Sequence, residues 1–192
     1  MKVELTWYEA EMAAKVGMAR AFSSMRAGHN AFKHGLGKDE GGLFDMDIRG
    51  AAAECAVAKA LDMFWDGSVD TFHKKADIGE NIEVRSVKDE KRRLLVRPED
   101  PTEGRYYVLV VDLWNKGTTP NYLIQGWLPG DECKQDEFET DFGRTDRPPC
   151  FGIPPSRLRS ITTLKKEALA KPMEISWGRG FELGVEGSSI EM

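Results

Sequence analysis

The chain is predicted to fold as an α/β (α+β) protein, with N-terminal helices packed on a mostly antiparallel, mixed central sheet. Three observations carry this prediction. Apolar residues recur at helical spacing as far as about Leu61, the period changes to that of strands from Val69, and Tyr106 to Val111 forms a continuous apolar run. A length of 192 residues suits one domain. It divides into a helical region over 1–46, a core over 47–131, and an acidic loop with C-terminal elements over 132–192.

Thr6 followed by Glu9 is a capping box. It opens a helix to about Met25 or Arg26, with Ala10, Ala13, Ala14, Met18, Ala21, Phe22 and Met25 expected toward the core. Core packing is also the expected role of Met12. Residues 29–42 hold four glycines and read as a connection with one short turn near Asn30 to Lys33. A second helix is expected from Asp47, as N-cap, through the alanine-rich stretch to Leu61. Gly50 and Glu54 then share a face, where Gly50 would admit a neighbouring backbone and Glu54 would point into a cleft. Ala58, one turn on, offers Glu54 no charge, which leaves Arg49, Lys59 or solvent as partners.

Strands are expected over about 69–77, 81–87, 93–97, 106–113 and 122–128, joined by short turns and therefore mostly antiparallel. The apolar run in the fourth marks a strand covered on both faces, the central one. Residues 129–149 read as an acidic surface excursion. Pro154 and Pro155 suit the start of a short helix toward Ile161. Another turn or two is expected over 164–170, a last strand over 173–177, and a frayed end over 184–192.

Hydrophobic residues at 41% and charged residues at 31% exclude a disordered chain, and no apolar run approaches the roughly 18 residues of a spanning helix. The first residues lack the apolar segment and cleavage site of a secretory signal, which points to the cytoplasm, that of the host if the gene is viral. Three cysteines (Cys55, Cys133, Cys150) and three histidines (His29, His34, His73) show neither disulfide nor metal-ligand spacing, and Cys55 is expected in a helix core. A net charge of −5 argues against coating nucleic acid by bulk charge. Local charge differs: residues 85–97 carry six basic against two acidic side chains, and residues 131–147 carry seven acidic against three basic. Such runs suit a solvated surface, or a basic patch beside a carboxylate cluster.

Asp77 to Arg85 is the segment whose spacing carries chemistry. If Gly79, Glu80 and Asn81 form a three-residue turn, with Gly79 or Asn81 at positive φ, Ile78 pairs with Ile82. Asp77 then lies opposite Glu83, and Arg85 joins them on the same face, while Ala76, Ile78, Ile82 and Val84 take the core face. Opposed like charges cost about 0.2–1 kcal/mol unless a cation relieves them. A two-residue turn would instead place the carboxylates on opposite faces.

Gly50 and Glu54 on a helix, then Asp77, then Glu83-Val84-Arg85 on a strand, resemble the PD-(D/E)XK nuclease superfamily, the restriction-endonuclease-like fold. The segments Arg93-Leu-Leu-Val-Arg97-Pro, Tyr107 to Val111 and Ile124 to Asp131 also resemble small phage members, so the likeness spans roughly 47–131. The resemblance implies a metal-dependent nuclease hydrolysing DNA, with Mg²⁺ (or Mn²⁺) held by Asp77, Glu83 and the Val84 carbonyl. It implies Glu54 as the helix carboxylate and Arg85 in the position of the family lysine. Lys91, Arg92, Arg93 and Arg97 would hold flanking phosphates of DNA. Arginine is a departure, since it stays charged and cannot act as a base, though it can hold a phosphate oxygen. Lys88 is no substitute, because its odd offset from Glu83 puts it on the other face. The family also has a helix between its third and fourth strands, for which 98–105 is too short. The alternative is a catalytically inactive relative that binds nucleic acid or a host protein. A phage accessory protein presenting its acidic stretch to a basic host partner, and a homo-oligomer, are further expectations.

Overall fold

Two helices lie on a four-stranded sheet, and a second, three-stranded sheet covers the sheet's other face. The computed structural model describes residues 1–28, 40–69, 75–115, 118–143 and 149–170, with backbone alone at 40, 41 and 168–170. The chain runs β1 (Lys2–Glu4), α1 (Trp7–Arg26), α2 (Glu40–Leu61), β2 (Ile82–Val87), β3 (Leu94–Val96), β4 (Tyr106–Asp112), β5 (Asn121–Pro129), α3 (Gly130–Cys133), β6 (Glu139–Thr140), β7 (Cys150–Ile153) and α4 (Ile161–Ala170). The main sheet has the order β1-β5-β4-β2, and the second has β3-β7-β6.

The capping box forms as its sequence predicts: the Glu9 N–H donates to Thr6 Oγ1 at 3.2 Å and the Thr6 N–H donates to Glu9 Oε2 at 2.7 Å. The face that α1 buries matches expectation at Ala10, Ala13 and Ala21 and differs at Gly17, Met12, Met18 and Phe22. It runs through Ala10, Ala13, Gly17 and Ala21, while Met12, Met18 and Phe22 stand exposed. Close approach explains the difference: a Cβ at Gly17 would lie 2.4 Å from Ile48 Cα, so only the smallest residues fit where the helices cross. Gly17 is therefore the contact glycine, and Gly50, with nothing within 4 Å of an added Cβ, is not. The second helix starts at Glu40, so Asp47 is not its N-cap but lies inside it.

β4 is the central strand and is buried throughout. Its alternation divides the interior. Tyr106, Val108 and Val110 join the helix-side core with Ala51 to Ala53, Ile82, Val84 and Trp127, whereas Tyr107 and Leu109 join Leu94, Val96, Phe138 and Ile153 between the sheets. A strand with two apolar neighbouring layers needs no polar face, which is why its sequence shows no alternation.

The sheet is more mixed than short turns suggested: β2 and β4 are parallel, with Glu83 beside Tyr107 and Arg85 beside Leu109. β3 causes this. It leaves the main sheet to pair with β7, so the chain crosses over before returning as β4. No helix occupies 98–105. Residues 129–143 are also less open than expected, since Cys133 and Phe138 are buried. The 3₁₀ turn at Pro155–Arg157 and α4 answer to the two short C-terminal helices. All three cysteines are free, with Cys133 buried and Cys55 half-buried. Among the described residues no helix is long and apolar enough to cross a membrane. The expectations for residues 30–33, 173–177 and 184–192, and all three histidines, lie outside the described residues.

Candidate active site

The tight bend before β2 has the predicted register. Ile78 and Ile82 exchange both backbone hydrogen bonds, at 3.1 and 3.3 Å, around Gly79-Glu80-Asn81, and Gly79 has φ +59°. Positive φ at a residue without Cβ is what a three-residue turn needs. The turn is tied to the central strand, since the Tyr106 N–H donates to the Asn81 carbonyl at 2.8 Å. Ala76, Ile78, Ile82 and Val84 are buried, as their alternation predicted.

The ladder ends at Ile78. Residues 70–74 of the expected 69–77 strand lie outside the described residues, and 75–77 form no strand. Asp77 instead turns its carboxylate to the backbone, where Oδ2 accepts from the Val84 N–H at 2.7 Å. β2 is the edge strand, so this bond caps an otherwise open edge. The N–H and C=O of one strand residue point to the same side, so the Val84 carbonyl also faces that edge.

Asp77 thereby stands between two groups. On the helix side, both oxygens of buried Glu54 accept from Arg20 of α1, at 2.5 and 2.8 Å, and Trp65 Nε1 donates to Oε2 at 3.1 Å. This partner corrects the expectation of Arg49, Lys59 or solvent. On the other side, Glu83 lies 3.6 Å from Arg85 and 3.4 Å from Arg105. Arg85 also donates to Asp100 at 3.1 Å and rests over the Tyr107 ring at 5.3 Å. Asp100 is itself buried and accepts from the Arg97 N–H at 2.9 Å. Lys88 points away and pairs with Asp45 at 2.9 Å.

The carboxyl groups hold their protons unusually well. Burial, and then the adjacent Asp77 charge, push Glu83 up to about 7 against the pull of Arg85 and Arg105. Glu54 is also pushed up to about 7, by burial first; the Arg20 bonds oppose this and the Asp77 charge adds to it. Burial raises Asp77 too, although the Val84 N–H and the charges of Arg85, Arg20 and Arg105 oppose it. Three desolvated carboxylates in one neighbourhood are short of positive charge even with these arginines present.

A divalent cation fits such a deficit at Asp77 and Glu83. Mg²⁺ sites commonly use one or two carboxylates with substrate phosphate and water. Among the described residues no group of three or more His, Cys, Asp or Glu side chains could hold a metal ion; the groups here that could contribute to one are the Asp77 and Glu83 carboxylates and the Val84 carbonyl. With both oxygens on Arg20, Glu54 is committed to that ion pair and feels Asp77 as a repelling like charge.

The basic residues fall elsewhere. Arg92 and Arg93 line a pocket of about 670 Å³ beyond the carboxyl ends of β2 and β4, Lys91 sits on the preceding turn, and Arg97 follows β3. Glu83 and Val87, which lines the pocket, are four positions apart along β2, about 13 Å. Sequence reasoning missed Arg20, Arg105, Asp100 and Trp65. Arg20 alone had a local signal, as a cation one turn after Gly17 on a helix face of small residues. Comparison of the chain with protein-family models, with curated proteins and with solved structures finds no match.

Proposed function

We propose that the protein is a metal-dependent nuclease that hydrolyses phosphodiester bonds of DNA, built on a restriction-endonuclease-like arrangement. One observation carries the reading: the charge of Asp77 bears on Glu83 at edge strand β2, beside Arg85, and burial raises the proton affinity of both carboxyl groups. Bound Mg²⁺ or Mn²⁺ would supply an activated water and neutralise charge developing on the phosphate. Asp77, Glu83 and the Val84 carbonyl hold the ion. Arg85, half-turned toward solvent and anchored by Asp100, donates to a non-bridging phosphate oxygen. Arg85 cannot take a proton from water, so the base is a carboxylate or solvent. Glu54 is clamped by Arg20, whose charge also favours the ionised form of Asp77. Lys91, Arg92, Arg93 and Arg97 bind DNA phosphates away from the cut.

The test is incubation of purified protein with linear, circular and single-stranded DNA in Mg²⁺ or Mn²⁺. Cleavage should appear, cease with chelator, and fall at least 100-fold in Asp77→Asn and Glu83→Gln. Undiminished cleavage in both variants would remove this site. A second reading is favoured by the ion pairs of Glu54 with Arg20 and of Arg85 with Asp100: an inactive relative that binds DNA. Salt-sensitive DNA binding without cleavage in either metal would select it.

A further inference from the structure

We propose that the pocket at the carboxyl ends of β2 and β4 binds one nucleotide unit, its base against Phe142 and Leu95 and its phosphate on Arg92 and Arg93. The inference rests on the nucleic-acid reading of the basic stretch and names what that stretch recognises. A volume of about 670 Å³ lies within the range of small-ligand sites, roughly 300–1,000 Å³. Its walls include Met46, Val87, Leu95 and Phe142. Leu95 is 41% and Phe142 52% exposed, so two large apolar side chains stand open on its surface. Phe142 also has φ +53°, a conformation bulky residues rarely adopt.

Gly152 of β7 explains how ring and guanidinium come together. A Cβ there would lie 3.1 Å from Phe142 Cζ and 3.2 Å from Arg93 Cδ, and Arg93 Nη1 donates to the Gly152 carbonyl at 3.2 Å. The glycine thus seats an aromatic ring beside an anchored arginine. The charges at the pocket are unequal. Arg49 pairs with Asp45 at 2.6 Å and with Asp112, and Lys88 pairs with Asp45 at 2.9 Å. Asp89 Oδ1 accepts from the Lys91 N–H at 2.9 Å. Arg92 and Arg93 make no ion pair among the described residues. An apolar wall beside two guanidinium groups without an acidic partner, one of them held in place by the Gly152 carbonyl, suits an aromatic base carrying phosphate, because base stacking tolerates any base and arginine grips phosphate through paired donors.

The experiment is calorimetric titration of the full chain, in chelator so that nothing is cleaved, with dAMP, deoxyadenosine, inorganic phosphate and a 5′-phosphorylated oligonucleotide. dAMP should bind at least tenfold more tightly than deoxyadenosine or phosphate, and Phe142→Ala and Arg92→Ala should each weaken it about tenfold without lowering the melting temperature. Competition by the oligonucleotide identifies a strand end as the source of the ligand; dAMP binding without competition identifies the free nucleotide. Equal affinity for phosphate and dAMP, no saturation, or unchanged affinity in both variants would overturn the proposal. dAMP binding that survives Glu83→Gln supports a pocket separate from the carboxylate pair, whether or not DNA is cleaved, and its loss in that variant overturns it.

Discussion

The two ends of β2 handle charge in opposite ways. At its start, Glu54, Glu83 and Asp100 are buried and each finds an arginine, while at its end Arg92 and Arg93 line a pocket without forming an ion pair among the described residues. Desolvation makes the first arrangement obligatory: a buried ion without a partner costs several kcal/mol, whereas an exposed one costs almost nothing. Partnered charges therefore report on stability as well as chemistry, and free ones report on what the surface is able to bind.

Arg20→Ala should separate the two ends most sharply. Leaving Glu54 buried and unpaired costs about 3–5 kcal/mol, roughly 6–20 °C in melting temperature for a chain of this size. Thermal unfolding should show a larger loss at pH 8 than at pH 6, because Glu54 beside Arg20 takes up a proton near pH 7 and its charge needs Arg20 only above that. Arg92→Ala should change stability by no more than about 0.5 kcal/mol in the same scans. Equal effects would erase the distinction.

The next effect concerns the packing that brings Arg20 to Glu54. Gly17→Ala should destabilise by about 1–3 kcal/mol, since its Cβ meets the Ile48 backbone. Gly50→Ala has open space and should stabilise by about 0.5–1 kcal/mol from helix propensity, measured by urea unfolding.

Protonation gives a third contrast. The folded-state values of Glu54 and Glu83, about 7, lie above the ordinary 4.5, so the folded chain binds more protons between these limits. Their contribution is whole below about pH 4.5 and is lost as pH rises through 7. Melting temperature in chelator should fall from pH 5 to pH 8, and Glu83→Gln should flatten the slope. A rise over that window would contradict the buried, like-charged arrangement. The smallest effect belongs to the open end: replacing Arg92 or Arg93 by alanine should weaken DNA binding across sequences and reduce the salt slope by about one per residue.

What the sequence reveals follows the range of the forces involved. The turn at Gly79 to Asn81 and the pairing of Ile78 with Ile82 depend on residues fewer than ten positions apart, so spacing alone suffices. The capping box at Thr6 and Glu9 is equally local. The partner of Glu54 lies 34 positions away on another helix, and helical spacing around Glu54 does not point to Arg20. The parallel pairing of β2 with β4 depends on β3 leaving for β7, a tertiary choice that strand periodicity does not encode. On α1 the buried alanines are legible, but Gly17 is not, because hydrophobicity favours Met18 and Phe22 whereas close packing favours the smallest residue.

The account turns on Asp77 and Glu83 forming a divalent-cation site at the edge of β2. Calorimetric titration of Mn²⁺ at pH 8 tests this directly. One saturable site per chain, lost in Asp77→Asn and in Glu83→Gln and kept in Arg92→Ala, is the predicted result. No binding by the wild-type chain, or equal binding by both carboxylate variants, would contradict it.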